Sequence, residues 1–371
     1  MSATQENAGT VHRYRCPGCA ADLVYEPKDG CLTCPYCGRK EQIPETAEQV
    51  EERSYADYLR PHASRMARLS GDALEVSCSQ CGATVVFAPP EVAGECAFCG
   101  SKIVAQPRSA DPTVAPEGVL PFFVTREEAD WKIERWISSL WFAPNALKRL
   151  ARRESTDGVY LPFWTYDSNT TSHYTGERGE HYYVTETYTE TDAQGNQVTR
   201  TRQVQHTRWY PASGVVELWF DDILVPATRS LPQNRLDALE PWDFKELKSY
   251  DPAFLSGYKA QSYQVTLPEG FEIAKERMAH VIRDDVANDI GGDEQRIHHI
   301  ATAYSGVSFK HLLLPVYVAA YRFKEKVYQV LINARTGEVQ GDRPYSVIKI
   351  TLFVLALVAL MAVVWYVFSN K

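Results

Sequence analysis

The residues of this chain with the clearest potential for chemistry are its cysteines. There are nine, all before residue 100, and eight of them form four C-x-x-C pairs. Two thiolates separated by two residues can bind one metal ion from a tight turn, and two such turns complete a tetrahedral site. The predicted metal ligands are Cys16, Cys19, Cys34, Cys37, Cys78, Cys81, Cys96 and Cys99.

The four pairs repeat with one spacing. Fourteen residues separate the two pairs of each set, which gives the pattern C-x2-C-x14-C-x2-C twice. This internal repeat predicts two tandem zinc ribbons, at 12–43 and 75–104, each with a short β-hairpin between its two turns. Four cysteines leave no open coordination position, so the two Zn²⁺ ions are predicted to be structural. Iron in a rubredoxin-like site is the alternative that the spacing leaves open.

Cys31 falls outside this pattern, and we expect it to be a small apolar residue beside the first ribbon rather than a fifth ligand. The N-terminal residues are polar and contain no apolar signal-peptide core. The chain is therefore expected to stay in the cytoplasm, where paired cysteines bind metal more often than they form disulfides.

The charge of the chain bears on its partners. The net charge is −8, and the segment Arg13–Glu41 holds five basic and four acidic residues. Neither the whole chain nor the first ribbon therefore has the cationic surface that displaces counterions from phosphates. Protein docking is the expected role of the ribbons. A membrane-tethered nucleic-acid-binding protein remains the alternative, with steeply salt-dependent binding as its signature.

The sequence predicts no enzyme. It contains no P-loop, H-E-x-x-H, G-x-S-x-G or dinucleotide-binding motif. The pairs Asp221-Asp222, Asp284-Asp285 and His298-His299 are expected to lie on a solvated surface. A catalytic site assembled from distant residues of the body is the third hypothesis.

The C-terminal segment Ile350–Phe368 has 19 residues without a charge. At about 1.5 Å per residue this length matches the hydrocarbon core of a bilayer. It predicts a transmembrane helix at 347–368, with Trp365 and Tyr366 at one interface and Arg343 and Lys349 on the near side. We expect a single-pass protein of the inner or plasma membrane with its N-terminal body in the cytoplasm. A buried core helix is the alternative.

The rest of the chain predicts a multidomain α+β protein. A helical linker is expected at 44–74, a proline-rich linker at 105–118 and a mixed α+β body at 119–345. In the body, Thr125 and Glu128 predict a capping box that opens a helix. The segments Glu180–Thr191 and Gln197–Tyr210 alternate polar and apolar residues and predict a long β-hairpin.

Two further patterns concern the body. The predicted helix carries an apolar stripe that faces either the core or a partner: Trp131, Trp136, Ile137, Leu140 and Trp141. Leu161-Pro-Phe-Trp-Thr-Tyr166 and Leu314-Pro-Val-Tyr-Val-Ala-Ala-Tyr321 each follow a predicted helix and open a strand. These similar contexts indicate a diverged internal duplication of a helix-plus-strands unit.

Taken together, the ribbons, the body and the apolar C-terminus resemble a bacterial family of zinc-ribbon membrane proteins, often labelled helicase-like or replication factor Y-like. The similarity extends from Cys16 to the C-terminal helix, and the doubled ribbon departs from a family that usually carries one. The motifs that carry it are Val119-Leu-Pro-Phe122, Trp141-Phe-Ala-Pro-Asn145, Gly158-Val-Tyr-Leu-Pro-Phe-Trp164 with Tyr166-Asp167, Leu314-Pro-Val-Tyr317, and Tyr328-Gln-Val-Leu-Ile-Asn333 before Thr336-Gly-Glu338.

This resemblance implies a non-enzymatic adaptor. Members are similar to membrane proteins that work with SPFH-domain proteins and with phage-shock-protein-A-like membrane-remodelling proteins. They are thought to place these partners at the membrane during envelope stress. The resemblance implies no catalytic residues and leaves open which of the two ribbons corresponds to the single ribbon of the family.

Overall fold

The computed structural model describes residues 14–44, 50–59, 66–67, 74–77, 84–87, 93–95, 98, 102–104, 108–109, 113–144, 156–191, 196–323, 326–342 and 345–369. These residues form a mixed α/β fold with a large antiparallel sheet. Its helices are α1 (Tyr55–Tyr58), α2 (Arg126–Ser139), α3 (Gln233–Asp237), α4 (Leu267–Ile290), α5 (Val347–Ser369) and two short 3-10 helices (Phe244–Glu246 and Pro252–Leu255).

The strands are numbered in chain order. The cysteine-rich region and the segment after it contain β1 (Val24–Glu26), β2 (Cys31–Thr33), β3 (Lys40–Glu41), β4 (Arg53–Ser54), β5 (Met66–Ala67), β6 (Leu74–Ser77), β7 (Thr84–Phe87), β8 (Ala93–Glu95), β9 (Lys102–Val104), β10 (Arg108–Ser109) and β11 (Thr113–Val114). The body contains β12 (Gly118–Val119), β13 (Asp157–Thr191), β14 (Gln197–Pro226), β15 (Lys248–Ser249), β16 (Lys259–Ala260), β17 (Glu294–Phe323), β18 (Lys326–Asn333) and β19 (Val339–Gly341).

Three very long antiparallel strands organise the body. β13 has 35 residues and lies between β14 and β17, which have 30 residues each. The sequence predicts several shorter strands here. The observed strands are continuous because their irregularities are register shifts, for example between Tyr166 and Ser168, which do not interrupt the pairing. β18 and β19 extend the sheet beyond β17.

The predicted long hairpin is confirmed. β13 pairs with β14 from Phe163↔Pro226 to Thr191↔Gln197, whereas β17 pairs with β13 only as far as Gly179. The last twelve pairs, formed by 180–191 and 197–208, therefore extend beyond the third strand. At about 3.3 Å per residue this two-stranded projection is about 40 Å long. We call these residues the β-arm.

The two motifs that indicate a duplication face each other in the sheet. Leu161 of β13 is the direct register partner of Leu314 of β17. α2 precedes β13 and α4 precedes β17 in the chain. The duplication itself remains a prediction.

α4 covers one face of the long strands. Its capping box at Thr266 and Glu269 fixes the start, and the helix extends the predicted Phe271–Asn288 at both ends. Its apolar positions recur every three or four residues and pack on aromatic side chains of β13, such as Trp164. The buried positions are Leu267, Phe271, Ala274, Met278, Ile282, Val286 and Ile290.

α2 begins at the predicted capping box, since Glu128 N–H donates to Thr125 Oγ1 (3.2 Å) and Thr125 N–H donates to Glu128 Oε2 (2.9 Å). The predicted apolar stripe forms only part of its core face. Ile137 is buried, and Trp136 and Leu140 pack against the core, whereas Trp131 is 56% exposed and Trp141 is 76% exposed. The core face also includes Ala129 and Ile133, because these positions precede Ile137 at a spacing of four residues.

The two predicted linkers are tied to the body. In the predicted helical linker 44–74, the described residues are helical only at Tyr55–Tyr58, because β4 pairs with β17 and the Tyr58 ring packs on Phe309. In the predicted proline-rich linker 105–118, β10 pairs with β6 and β11 with β5. Val114 is buried, and its carbonyl lies 2.9 Å from His311 Nδ1. Burial of these few side chains stabilises the packing of both segments on the body, although most of their residues are polar.

α5 contains 20 residues, Val347–Tyr366, that are long and apolar enough to cross a membrane, and none of that span is buried. Its start is fixed to the segment that follows α2. Ser346 N–H donates to the Phe142 carbonyl (2.7 Å), and Lys349 Nζ donates to the Ala143 carbonyl (2.8 Å). Arg343, predicted on the near side of this helix, lies outside the described residues.

Candidate metal centre

The first four predicted ligands lie on two turns with the same backbone geometry. Ala20 N–H donates to the Cys16 carbonyl (2.8 Å), and Gly38 N–H donates to the Cys34 carbonyl (2.9 Å). The residue that closes each turn has a positive φ, 58° at Ala20 and 70° at Gly38. This conformation favours the glycine that follows Cys37 and strains the alanine that follows Cys19.

A three-stranded sheet (β1–β2–β3) joins the two turns and brings their cysteines together. The Sγ atoms of Cys16 and Cys37 are 3.4 Å apart, those of Cys19 and Cys34 3.5 Å, and those of Cys19 and Cys37 3.8 Å. Tetrahedral ligands at about 2.3 Å from one zinc ion are about 3.8 Å apart, whereas a disulfide needs about 2.05 Å. All four cysteines are free thiols that could hold one metal ion.

The electrostatics of the four thiols fit a cation. Backbone N–H groups, with Cys37 N–H the strongest, lower the pKa of Cys34 to about 6. For Cys16, burial opposes ionisation, but hydrogen bonds from the N–H groups of Gly18 and Cys19 outweigh it and lower the pKa. The thiols of Cys16 and Cys34 raise the pKa of Cys37 to about 12 against the effect of Arg39 N–H. Four thiolates this close repel one another, so full ionisation needs the positive charge of a metal.

The remaining cysteine of the first ribbon is separate from this group. Cys31 is buried, and its Sγ lies 3.9 Å from Thr33 Oγ1. It is absent from the cluster of sulfur atoms that lie within 4.8 Å of one another. Its position agrees with the predicted role as a small apolar residue.

The first ribbon packs on the body through its apolar side. Tyr25 lies against the rings of Phe254 (5.5 Å between centroids) and Tyr258 (6.5 Å), and its hydroxyl donates to the Phe122 carbonyl (3.5 Å). Backbone bonds add to this contact, because Tyr25 N–H donates to the Ser256 carbonyl (3.0 Å). The ribbon is therefore part of the same hydrophobic core as the body.

The opposite end of the first ribbon faces solvent. Tyr36 lies between Cys34 and Cys37 and is 83% exposed. The residues around it in the same turn, 35–39, are also exposed. A large aromatic side chain on a rigid, exposed turn is a typical protein-binding feature.

The ligands of the predicted second site, Cys78, Cys81, Cys96 and Cys99, lie outside the described residues. The described strands pair across each turn: β6 pairs with β7 up to Ser77↔Thr84, and β8 pairs with β9 up to Glu95↔Lys102. The sequence predicts a hairpin between the two turns instead, but among the described residues β7 pairs with β6 and β16. Phe98, between Cys96 and Cys99, is fully buried in the body core beside residues such as Leu331. Gln329 Nε2 donates to its carbonyl.

A second group of potential ligands consists of Glu52, Asp167 and Asp221, which the sequence analysis does not bring together. Lys310 lies among these acids, with Nζ 3.1 Å from Glu52 Oε1 and 2.7 Å from Asp222 Oδ1. Burial opposes the charge of Lys310, but these ion pairs outweigh it and raise its pKa. The ammonium pairs directly with Glu52 and Asp222 and offsets one of the negative charges, so these side chains form an ion-pair network. Asp222 is thus ion-paired, whereas the sequence predicts that it is solvated. The separation of 258 residues between Glu52 and Lys310 explains why no local sequence pattern reveals this network.

Comparison with known proteins shows a similarity along most of the chain. An uncharacterized protein of Bacillus subtilis (strain 168), YdjG, is 28% identical over 370 residues, which cover 94% of this chain and 97% of the relative. No family model matches the chain, and no solved structure matches it. The chain is thus similar to YdjG along almost its whole length.

Proposed function

We propose that this chain is a non-enzymatic membrane adaptor whose first zinc ribbon recruits a cytoplasmic protein to the inner or plasma membrane. The observation that carries this proposal is the orientation of the ribbon. Its apolar side is used for packing on the body, while its metal-binding turns and Tyr36 remain open to a partner. Such a ribbon needs no folding upon binding, which keeps the entropic cost of docking low.

The metal in this account is Zn²⁺, with two structural ions per chain. Cys16, Cys19, Cys34 and Cys37 would hold the first ion, and Cys78, Cys81, Cys96 and Cys99 the second. The sulfur separations of the first site support zinc, and a closed four-thiolate site is typical of a structural ion.

The helix α5 would be the membrane anchor, with the body on the cytoplasmic side. Its exposed apolar surface supports this role, because an uncovered face of this size is unfavourable in water. The contacts of Lys349 and Ser346 with the 142–143 carbonyls would fix the body close to the membrane surface.

Charge favours a protein partner over a nucleic acid. Two lysines of the first ribbon are already paired with acids: Lys28 with Glu128 (2.8 Å) and Lys40 with Asp29 (2.8 Å). These pairs leave little cationic surface to bind phosphates. The resemblance to zinc-ribbon membrane proteins identifies the proposed partner class as SPFH-domain or phage-shock-protein-A-like proteins.

Capture from solubilised membranes tests this function. The full chain should recover an SPFH-domain or phage-shock-protein-A-like protein, and Tyr36→Ala should lower the recovered amount at least tenfold. Trp219→Ala is the matched control, since Trp219 is an exposed aromatic on β14, outside the ribbon, and should leave recovery unchanged. Failure of the full chain to recover either class of protein would contradict the proposal.

A further inference from the structure

The β-arm has two strands of opposite charge. Residues 180–191 of β13 include three glutamates and no lysine or arginine, whereas residues 197–208 of β14 include three arginines and no acid. The members of these two sets are Glu180, Glu186, Glu190, Arg200, Arg202 and Arg208.

All of these charges lie on one face of the arm. Direct register partners share a face of a sheet, and the face alternates along each strand. Glu180 is opposite Arg208, Glu186 is opposite Arg202, and Arg200 is opposite Tyr188, two residues from Glu190. Cross-strand ion pairs join Glu186 to Arg202 (3.0 Å) and Glu190 to Arg200 (3.3 Å). The other face carries mainly threonine and glutamine, apart from His181 and Tyr183.

Neither outer edge of the arm pairs with another strand in the part of the chain that the structure describes, although His181 N–H donates to Asp293 Oδ2 (2.7 Å) at its base. β14 pairs only with β13, and β17 ends its pairing with β13 at Gly179. Exposed edge strands are normally protected by lysine, proline or a bulge. Residues 180–191 and 197–208 contain no lysine or proline, and their pairing has no register shift.

The arm also lacks a core of its own. Exposed side chains line it, including Tyr183, Val184 and Tyr188. A two-stranded ribbon is marginally stable in water, and a third strand with cross-strand contacts stabilises it. The arm therefore has strand edges and a regular register that an additional strand can pair with, and such a strand would stabilise it.

We propose that the β-arm pairs edge to edge with the β-arm of a second copy of this chain. The 197–208 strand of one copy adds antiparallel to the 180–191 strand of the next copy, so that each arginine row lies between two glutamate rows. Pairing of two like strands would place arginine beside arginine or glutamate beside glutamate, which is unfavourable. The contact is thus head-to-tail and builds a ring or a row of copies.

The proposed membrane anchor is compatible with this arrangement. The inference rests on the proposed anchor only for the common orientation of the copies relative to the membrane. Copies anchored by α5 share one direction relative to the membrane, so their arms point the same way. In such a set the outgoing strand of one arm lies beside the returning strand of its neighbour, as antiparallel pairing requires.

Charge reversal in the full chain tests the proposal through the mass of the protein in mild detergent. The wild-type chain should have a mass several times the 41.9 kDa of one copy, after subtraction of the detergent. Arg200→Glu/Arg202→Glu and Glu186→Arg/Glu190→Arg should each reduce the mass to one copy. An equal mixture of the two variants should restore the assembly, because each then offers the edge that the other needs.

The fourfold variant that combines these changes is the control for folding, since it keeps opposite charges across the arm. It should assemble with itself but not with the wild-type chain. A wild-type mass of one copy, unchanged mass in both double variants, or mixed assemblies of the fourfold variant with wild type would overturn the proposal. Membrane retention and partner capture are separate readouts, so failure of the proposed adaptor function is distinguishable from failure of arm pairing.

Discussion

Tyr36 and Phe98 hold the same place in two copies of one motif, the third position of a C-x-x-C pair. The Tyr36 side chain is 83% exposed, whereas Phe98 is fully buried among apolar residues of the body. The first ribbon contacts the body through Tyr25 on its sheet, whereas the predicted second ribbon contacts the body core through Phe98. The two copies of the motif thus contact the same body through different residues.

This difference shows how a repeated metal motif can serve two purposes. The cysteines determine the local turn, and the residues between them decide which surface is buried. On this account the second ribbon is a structural brace, and the first presents a free turn to a partner. The following predictions test that division of roles, starting with the largest expected effect.

Replacing two of its cysteines should abolish metal binding by the first ribbon. Cys34→Ser/Cys37→Ser should abolish the first site and lower the bound zinc from two ions per chain to one, because two thiolates cannot complete the tetrahedron. Elemental analysis of the purified chain measures this. Cys31→Ser is the matched control and should retain both ions, since Cys31 is outside the sulfur cluster. Loss of an ion in the control would mean that Cys31 is a ligand.

Truncating the two equivalent aromatic residues should have opposite outcomes. Phe98→Ala should lower the free energy of unfolding by about 3–5 kcal/mol, because it leaves a cavity in the core. Tyr36→Ala should change it by less than about 0.5 kcal/mol, because its side chain is exposed. Denaturant unfolding of the full chain in detergent compares the two. Equal effects of both substitutions would remove the basis for assigning different roles to the ribbons.

Acidification should weaken the attachment of the segment that follows the second ribbon. Burial lowers the pKa of His311 to about 4 from its usual 6.5, and the imidazole holds the Val114 carbonyl. As the pH falls, His311 is therefore protonated in the unfolded chain before it is protonated in the folded chain. The stability that the neutral, buried His311 contributes is present above pH 6.5 and is lost as the pH falls toward 4. The shift corresponds to about 3 kcal/mol.

The difference in unfolding free energy between wild type and His311→Gln isolates this effect. Wild type should lose stability relative to the variant between pH 7 and pH 4. The comparison is needed because burial also raises the pKa of nearby Glu117 to about 7, which has the opposite pH dependence. A constant difference across this range would show that His311 does not titrate as the structure indicates.

The smallest predicted effect concerns the two turns of the first ribbon. Ala20 has a φ of 58° at the position where Gly38 has 70° in the second turn. Ala20→Gly should stabilise the ribbon by up to about 1 kcal/mol, and Gly38→Ala should destabilise it by a similar amount. Hydrogen exchange in residues 16–41 measures both changes. Destabilisation by Ala20→Gly would contradict the assignment of strain to this turn.

The sequence predicts the local features of this protein well. The spacing of Cys16, Cys19, Cys34 and Cys37 predicts the first site, and the Thr125–Glu128 pair predicts the start of α2. Both succeed because their determinants are a few residues apart. The alternation in 180–210 likewise predicts the β-arm, since its strands pair with each other and need little from the rest of the chain.

The features that the sequence does not predict depend on distant partners. Trp131 and Trp141 belong to an apparent apolar stripe, but the neighbouring strands cover Ala129 and Ile133 instead. The ion pairs of Lys310 join residues far apart in the chain, and no spacing rule links them. The different exposure of Tyr36 and Phe98 has the same origin, because their motifs are alike and only the packing against the body distinguishes them.

Retention of the chain in membranes tests the account most directly. The full chain should remain in the membrane pellet through an alkaline carbonate wash, and a chain that ends at Ser346 should move to the soluble fraction with its zinc still bound. Release of the full chain by the wash would contradict the central claim that α5 anchors the ribbons and the β-arm at a membrane.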